Sequence, residues 1–367
     1  MDTVLFWGII AILCATCESI GIWKHGLSVG FIITTTLLAI HYDFGNDYWS
    51  YYDWFETSLY TPFPDSISAF LEISRDPGWD ILNICFAKLF GINGFYMMVA
   101  LLSIVEGICY YTFIKKSVPS QYYWLAMTMF VLNYHFFILS FSMMRQSLTM
   151  ALLLLCFIWI HQRKIILPCL MILFAATLHN SILLCLPLVL IPYITHINQK
   201  LLAAILSITW LILLLASSIL EPILTQIATF TDAFSRYVEA YTESSNMTFG
   251  IGYLLRLYPF FYIIYALFMK QITEKDIPLI LVWSLSIILI PFGRVIPLFS
   301  RLLFYFELAG FAVFPLILKS TQSRINKLII IMSIVLLATY TLYDDFYGPD
   351  SIYYDAYLKF NTIFNVI

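Results

Sequence analysis

The sequence predicts an all-α fold, a polytopic helical bundle in a membrane, and three observations lead to this class. Of its 367 residues, 61% are hydrophobic and only 11% are charged, whereas soluble domains carry roughly 25% charged residues. The mean hydropathy is +0.87. Many apolar runs approach or exceed the ~20 residues with which a helix crosses the hydrocarbon layer, where the backbone must be satisfied within the bundle. This composition excludes cytosolic and secreted enzymes and nucleic-acid-binding proteins.

About twelve transmembrane helices are expected in a single integral membrane domain, residues 1–367. The first run should remain as an anchor, because no basic segment precedes it. With the N- and C-termini extracytoplasmic, 11 of the 19 Lys and Arg residues fall on the cytoplasmic side, as the positive-inside rule requires. The runs cover residues 3–22, 27–42, 92–114, 120–141, 146–161, 165–178, 180–195, 201–220, 251–269, 277–293, 296–318 and 328–343.

The stretch 165–195 decides this topology. Its 31 residues span roughly 46 Å as a helix, too little for two comfortable crossings and too much for one. A single crossing would move every later cytoplasmic cation outside, so two short helices with a turn at His179-Asn180-Ser181 are expected. Irregular backbone at membrane depth is tolerated only against protein or water, so this turn would line a cavity.

The predicted outer side carries the long connections: loop 43–91, loop 221–250 and an acidic, tyrosine-rich tail 344–367. Segment 79–90 would be only ~18 Å long as a helix, so it is expected in the outer interface. The cytoplasmic loops are short. We therefore expect the functional site on the outer side.

The cations divide by residue type between the two sides. Of the eight outer or embedded cations, six are Arg, including Arg75 and Arg236. A planar guanidinium binds phosphate or carboxylate in a bidentate manner. Four lie inside or at the end of apolar runs, where a charge costs at least ~2.5 kcal/mol at the helix centre. They are Arg145, Arg256, Arg294 and Arg301, and their clustering predicts a bound anion.

Two interpretations of these arginines stay open. Each could snorkel to headgroups or pair locally with Glu307, Glu106 or backbone carbonyls. Alternatively, prolines at 291 and 297 break a helix around Arg294, and a fresh helix N-terminus would help the arginines to hold phosphate.

Carboxylates concentrate in loop 43–91. Asp43, Asp47 and Tyr51 are spaced by four residues, as are Asp76 and Asp80, so each set could share a helix face. Asp47 is the stronger candidate for proton transfer because it follows a predicted span in an aromatic stretch. Asp76 precedes Pro77 and could equally be a helix N-cap.

The aromatic residues around Asp47 fit either a membrane-interface belt or a sugar-binding surface, which needs apolar ring faces beside hydrogen-bonding groups. His179 is either a hydrogen-bonded structural residue or part of the same outer site. All seven cysteines lie in apolar stretches, where they behave as small buried residues. No metal site is predicted, and the Cys14-x-x-Cys17 pair lacks further ligands.

Five short motifs, taken in order, resemble the EpsG family, which is related to Wzy-type polysaccharide polymerases. One departure is Asp76, where the family pattern more often has Glu. The resemblance covers most of the chain, and its elements are Asn46-Asp47-Tyr48 with Tyr51, Asp76-Pro77-Gly78-Trp79, Met144-Arg145-Gln146-Ser147, Leu178-His179-Asn180-Ser181, and Arg301 through Tyr305-Phe306.

This resemblance implies a GT-C-like glycosyltransferase of the bacterial inner membrane that needs no cofactor. It would join undecaprenyl-pyrophosphate-linked oligosaccharides, donor and acceptor, at the periplasmic face to build O-antigen (lipopolysaccharide), capsule or exopolysaccharide. Membrane lipids and a chain-length-regulating co-polymerase are the further partners that it implies. An O-antigen ligase, a membrane O-acyltransferase and a lipid-linked glycan flippase are the alternatives.

The site residues receive roles on this basis. Arg145, Arg294 and Arg301 are expected to bind the donor pyrophosphate, with Arg256 and Arg75 as secondary candidates. Asp47 would take the proton of the attacking hydroxyl, with Asp76 and Asp80 as rivals. His179 would position a phosphate or a sugar hydroxyl. The sugar-binding candidates are Tyr48, Trp49, Tyr51, Trp79, Gln146 and Asn180.

Overall fold

A computed structural model describes residues 1–66, 70, 74–194, 197–228, 250–291, 298–347 and 355–365. This part of the chain is almost entirely helical. Its α-helices are α1 Asp2–Ser19, α2 Gly26–Ile40, α3 Tyr48–Tyr60, α4 Pro77–Phe90, α5 Gly94–Ser117, α6 Tyr123–Leu132, α7 Met144–His161, α8 Ile166–Leu178, α9 Ile191–Ile194, α10 Gln199–Ala228, α11 Ile251–Phe268, α12 Ile277–Ile288, α13 Leu298–Glu307, α14 Gly310–Ser320 and α15 Arg324–Tyr347.

Short 3₁₀-helices and one small sheet complete the described secondary structure. The longest 3₁₀-helix, Asn180–Leu190, follows α8 directly. The sheet pairs β1 (His41–Tyr42) with β2 (Asn361–Thr362). The other 3₁₀-helices are Gly91–Asn93, Ser120–Tyr122, Leu139–Phe141, Glu274–Asp276, Asp355–Tyr357 and Ile363–Asn365.

Within the described residues, six helical stretches are long and apolar enough to cross a membrane: Asp2–Ser19, Pro77–Ser117, Met144–His161, Gln199–Ala216, Ile251–Phe268 and Arg324–Asp344. Four apolar helices are shorter: Gly26–Ile40, Ile166–Leu178, Asn180–Tyr193 and Gly310–Ser320. The prediction of an all-α polytopic membrane protein is confirmed. The count of twelve spans and the side of the termini stay predictions.

Several predicted spans differ from the helices that form. Run 120–141 is α-helical only over α6, because the chain turns at the buried Asn133, whose side-chain oxygen accepts the His135 N–H at 3.2 Å. Run 296–318 is divided between α13 and α14. The stretch 165–195 does break where a turn was expected, since α8 ends at His179, which is extended with φ −156°.

The described chain forms two compact units. Unit 1 comprises residues 1–159, 165–186 and 335–367, and unit 2 comprises residues 160–164 and 187–334. The expectation of one integral membrane domain stays a prediction. Several predicted features lie outside the described residues: Arg294 with the predicted helix break around it, residues 229–249 of the 221–250 loop with Arg236, and residues 348–354 and 366–367 of the tail.

One end of unit 1 is basic. Here the α1–α2 turn, which contains Lys24, lies beside the end of α5. Glu18 in the last turn of α1 pairs with Lys115 at 2.7 Å, and its other carboxylate oxygen accepts the Leu27 N–H at 2.8 Å. Lys116 follows Lys115 at the same end of α5. We call this the basic end.

The opposite end of unit 1 gathers the loop after α2 and the C-terminal residues. His41 pairs with Thr362 in the β1–β2 sheet. Gly45 has φ +114° and donates its N–H to the Ala356 carbonyl at 3.0 Å. A Cβ at Gly45 would lie 2.5 Å from the Phe141 carbonyl oxygen. Only glycine therefore allows the loop to approach this carbonyl so closely. We call this the site end.

Unit 2 is organised around α10 to α14. Trp210 Nε1 on α10 donates to the Tyr253 hydroxyl on α11 at 2.9 Å. Gln199 Nε2, at the start of α10, donates to the Ile272 carbonyl at 2.8 Å. The Trp283 ring on α12 packs edge-on against Phe314 on α14, with 5.0 Å between the ring centroids.

Candidate functional site

An ion pair at the site end joins helices that are distant in sequence. Arg145 Nη1 donates to Asp76 Oδ2 at 2.5 Å. The other oxygen, Asp76 Oδ1, accepts the backbone N–H of Asn180 at 3.0 Å. Asp76 occupies the N-cap position of α4, but its side chain makes no capping hydrogen bond. The carboxylate therefore serves α7 and the 3₁₀-helix rather than its own helix.

Close packing between α4 and α8 makes this contact possible. Pro77 stands in the first turn of α4, where its missing N–H costs nothing. The next residue is Gly78, and a Cβ there would overlap the Thr177 side chain near the end of α8. The absent side chain lets the start of α4 press against α8, which brings Asp76 to Asn180.

Two aromatic rings cover the Arg145 guanidinium. Its Cζ lies 4.6 Å from the ring centroid of Trp54 and 5.6 Å from that of Tyr51. Arg145 Nε also donates a long hydrogen bond to the Tyr51 hydroxyl at 3.5 Å. Trp79 on α4 packs edge-on against Tyr51, with 5.5 Å between the centroids. Each cation–π contact stabilises the guanidinium by about 0.5–2 kcal/mol, and together they hold its plane in one orientation.

Burial differs strongly between the partners of the ion pair. The Asp76 side chain is 2% exposed, and that of Arg145 is 23% exposed. Asp76 contacts Nη1 and Tyr51 contacts Nε, whereas Nη2 has no hydrogen-bond partner among the described residues. The carboxylate is sealed from outside, and one edge of the cation remains available to a ligand.

Helix starts add positive potential at this pair. The first turns of α4, α7 and the 3₁₀-helix meet at Asp76, Arg145 and Asn180. The start of α3 is tied to the same region, because the Asp47 N–H donates to Ser142 Oγ at 3.2 Å, just before α7. Helix N-termini carry partial positive charge. A second anion would therefore be stabilised here, as phosphate is at other helix starts.

Asp47 lies at the edge of this cluster and is exposed. It is the N-cap residue of α3, and its charge acts on Tyr51. Burial raises the pKa of the Tyr51 phenol, the Arg145 cation lowers it, and Asp47 raises it again, so that the net pKa is above the usual value of 10. Tyr51 therefore stays a neutral hydrogen-bonding group at physiological pH.

The predicted helix face through Asp43, Asp47 and Tyr51 does not form. Helix α3 begins only at Tyr48, and Asp43 sits in the preceding turn with φ +50°. Asp43 instead accepts a hydrogen bond from Trp49 Nε1 at 2.5 Å. Trp49 is exposed at 43%.

Other predicted residues lie around the pair at the site end, and the Asp80 N–H donates to the Asp76 carbonyl at 3.1 Å. Asp80, in the first turn of α4, accepts a hydrogen bond from Ser74 Oγ at 2.5 Å. Gln146 is buried in the turn after Arg145, His179 ends α8 beside Asn180, and Arg75 is exposed beside Asp76. Tyr48 is fully buried against His41 and Phe95. The roles of these residues in substrate binding stay predictions.

Unit 2 contains a separate ion pair. Arg256 on α11 donates to Glu307 Oε1 through Nη2 at 2.8 Å and through Nε at 3.2 Å. Both side chains are about one-tenth exposed, 12% for Arg256 and 10% for Glu307. This is the local pairing that the sequence left open for an embedded arginine. Arg301 lies on α13, and nothing is described of its side chain.

Sequence reasoning missed two residues of the site end. Trp54 has the shortest ring contact to Arg145, and its spacing of three residues from Tyr51 on one helix could have pointed to it. Ser147 donates to the buried carboxyl of Glu106 at 2.9 Å. This second contact ties the first turns of α7 to α5.

These features define a polytopic α-helical membrane protein with a buried carboxylate–arginine pair and an open guanidinium edge. The chain belongs to the EpsG family, whose family model matches residues 27–362. No curated protein and no solved structure matches the chain. The matched range contains all of the residues at the Arg145–Asp76 pair, and the resemblance drawn from the motifs is confirmed. Membership indicates a role in polysaccharide biosynthesis, of the glycosyltransferase-like polymerase type.

Proposed function

We propose that this protein polymerises lipid-linked oligosaccharides at the periplasmic face of the bacterial inner membrane. The growing glycan is transferred from undecaprenyl pyrophosphate to a hydroxyl of the incoming repeat unit. The observation that carries the proposal is the Arg145–Asp76 pair, with its open cationic edge and aromatic cover, at the site end of unit 1.

The donor pyrophosphate binds at Arg145. The free Nη2 edge offers two N–H donors, and the converging helix starts add positive potential. As the bond between the anomeric carbon and the phosphate oxygen breaks, negative charge grows on the leaving pyrophosphate. A fixed guanidinium stabilises this charge without reorganisation. In unit 2, Arg294 and Arg301 stay proposed as phosphate-binding residues in their own right, whereas Arg256 is engaged by Glu307.

The acids then divide between two roles. Asp76 is a positioning residue, because both of its oxygens accept hydrogen bonds and it is sealed from solvent. Asp47 is exposed at the edge of the same cluster, so it can reach an acceptor hydroxyl and take its proton as the new glycosidic bond forms. Asp80 remains a rival base.

Sugars bind at the aromatic surface. Trp54 is half-buried and offers its ring beside the cation, whereas Tyr51 is buried and packs edge-on against Trp79. Apolar ring faces next to hydrogen-bonding groups match the two kinds of surface on a pyranose. His179, Gln146 and the Asn180 side chain are proposed to complete the contacts to hydroxyl groups.

Charge supports the assignment of the site to the periplasm. Lys24, Lys115 and Lys116 lie at the basic end of unit 1, opposite the site end. Cytoplasmic loops carry the excess of Lys and Arg, so the basic end is assigned to the cytoplasm. Outside, no nucleotide sugar or ATP is needed, since the lipid-linked donor brings its own leaving group. A chain-length-regulating co-polymerase is proposed as a partner.

Gel analysis of surface glycan in the native host tests the proposal. Deletion of the gene should reduce the ladder to one capped repeat unit, and the wild-type gene should restore the ladder. Arg145→Ala and Arg145→Lys should fail to restore it, because Lys keeps the charge but loses the fork geometry. Arg324→Ala is the matched control, since Arg324 is exposed at the start of α15.

The other outcomes point to other activities. Long lipid-linked chains in the deletion strain would indicate a ligase, and an unchanged ladder with altered acetylation would indicate an acyltransferase. Complete loss of glycan transfer would indicate a flippase. Full activity of both Arg145 variants, with normal insertion, would disprove the pyrophosphate site.

A further inference from the structure

A groove in unit 2 has the shape and charge of a lipid site. It lies between α10 and α11 and has a volume of about 380 Å³. On α10 it is lined by Lys200, Ala203, Ala204 and Ser207. No part of it involves the Arg145–Asp76 pair, so the inference is independent of the proposed glycan chemistry.

The walls of the groove are apolar, with small side chains on α10 and large aromatic ones on α11. The alanines and Ser207 leave a shallow channel along α10, and Ser207 Oγ is turned inward to the Ala203 carbonyl at 2.8 Å. Facing them on α11 are the exposed rings of Phe261 and Tyr265. From Lys200 to Ser207 the channel is about 10 Å long, a third of the ~30 Å hydrocarbon layer. A hydrocarbon chain fits such walls.

The mouth of the groove is cationic. Lys200 is exposed in the first turn of α10, with its Nζ 5.0 Å above the Phe268 ring. Among the described residues no carboxylate pairs with it. The hydrogen bond from Gln199 to Ile272 holds the α11–α12 connection at the same end, and this connection carries the exposed Lys270 and Lys275.

The acids of this connection do not cancel the charge at the mouth. Asp276 is buried and accepts a hydrogen bond from Thr273 Oγ1. Glu274 is exposed, so the described residues at this end include three exposed lysines and one exposed acid. A head group with net negative charge is favoured over a zwitterionic one.

We propose that the groove binds one anionic phospholipid of the cytoplasmic leaflet. Its phosphate lies at Lys200, and the first part of one acyl chain lies along Ala203, Ala204 and Ser207. Charge complementarity supplies the head-group preference, as in other basic pockets between membrane helices. The Lys200 stem covers apolar surface while its amine stays at the interface. These lysines are on the side that the positive-inside rule assigns to the cytoplasm.

Native mass spectrometry of the full chain in detergent tests the site, with phosphatidylglycerol and phosphatidylcholine added as probes. The wild type should retain phosphatidylglycerol several-fold better. Lys200→Ala should lose this preference, and Lys200→Arg should keep it. Ala204→Phe fills the channel and should weaken the binding of both lipids. Lys116→Ala is the matched control, an exposed lysine at the basic end of unit 1, and should behave as wild type.

Three results would overturn the proposal. Equal retention of both lipids by the wild type would show that the groove does not distinguish an anionic head group from a zwitterionic one. An unchanged preference in Lys200→Ala would place the anion elsewhere. Displacement of phosphatidylglycerol by inorganic phosphate alone, with no effect of Ala204→Phe, would mean that only a free anion binds.

Discussion

Asp76 lies at the N-terminus of α4, but its side chain forms no capping hydrogen bond there. Its Oδ2 lies 2.5 Å from Arg145 Nη1 and neutralises this cation in the first turn of α7. A cation at a helix N-terminus is electrostatically unfavourable. Asp76 and the two aromatic rings offset this cost, and the arrangement leaves Arg145 rigid and partly accessible.

Removal of the Asp76 charge should disable the site and loosen the fold. Asp76→Asn keeps an oxygen for the Asn180 N–H but leaves Arg145 without its counter-charge. We expect loss of polymer and a stability decrease of about 1–3 kcal/mol, the usual cost of an unsatisfied buried partner. Thermal unfolding in detergent and the glycan ladder measure the two effects. If Asp76→Asn and Arg145→Met together cost as much as the sum of the single changes, the residues are not coupled.

Trp54 should matter for activity although no motif contains it. Trp54→Ala removes the closest ring over Arg145, which frees the guanidinium and costs about 1 kcal/mol. We expect a shorter glycan ladder, largely restored by Trp54→Phe. Tyr60→Ala provides the control, because Tyr60 is an aromatic residue on the same helix and is 84% exposed. Equal effects of the two alanine variants would argue against a specific role of the ring on Arg145.

The stability of unit 1 should fall at acid pH through His41. Burial lowers the pKa of this imidazole from 6.5 to about 4, and its Nε2 has no hydrogen-bond partner in the described part of the chain. The unfolded chain binds this proton more readily than the folded chain, so protonation favours unfolding. The free energy of unfolding is therefore highest above pH 6.5 and decreases by about 3 kcal/mol between pH 6.5 and 4. The melting temperature, measured across this pH range, should change less steeply with pH in His41→Gln than in the wild type. His25→Gln, at the exposed start of α2, should keep the wild-type slope, and identical slopes for all three proteins would contradict the assignment.

The close approach of α4 to α8 predicts a steric effect. Gly78→Ala places a methyl group into the Thr177 side chain, and such overpacking costs about 1–3 kcal/mol. The start of α4 should move, so polymer synthesis should decrease together with the melting temperature. Adding Thr177→Ala removes the overlapping hydroxyl and should partly restore both. A double variant no better than Gly78→Ala would locate the strain elsewhere.

The buried carboxyl of Glu106 should be replaceable by an amide. Glu106→Gln keeps an oxygen for the hydrogen bond from Ser147 and avoids any buried charge, so expression and activity should stay near wild type. Glu106→Ala leaves the Ser147 hydroxyl without this partner and opens a cavity, with an expected cost of about 2 kcal/mol. Loss of activity in Glu106→Gln with normal folding would show that the acid itself is required.

The sequence indicates which charged residues need a partner, but not which partner each of them has. Arg145 was predictable because a charge in an apolar run must be offset. The partner of Arg145 could not be predicted, because Asp76 lies 69 residues away in the sequence and several other acids were equally plausible. The pairing of Arg256 with Glu307 shows the same limit. An arginine in an apolar run is expected both when it forms an ion pair within the protein and when it binds a ligand.

Two further features were hidden by composition. Trp54 lies among so many aromatic residues that an interface belt explained it adequately. The run 120–141 is mostly apolar, yet only Tyr123–Leu132 forms an α-helix. Hydropathy reports burial but not backbone conformation, and the buried turns that follow Leu132 satisfy their own N–H groups, for example Phe136 with Asn133.

The β1–β2 pair has a consequence for biogenesis. His41 pairs with Thr362, which is synthesised much later, so this contact can form only after Thr362 has left the ribosome. Until residues 355–365 emerge from the exit tunnel, Phe44 lacks its ring contacts to Tyr357 and Phe360. Nascent chains should therefore carry an uncovered apolar surface beside Asp47 until residues 355–365 have emerged and packed against it.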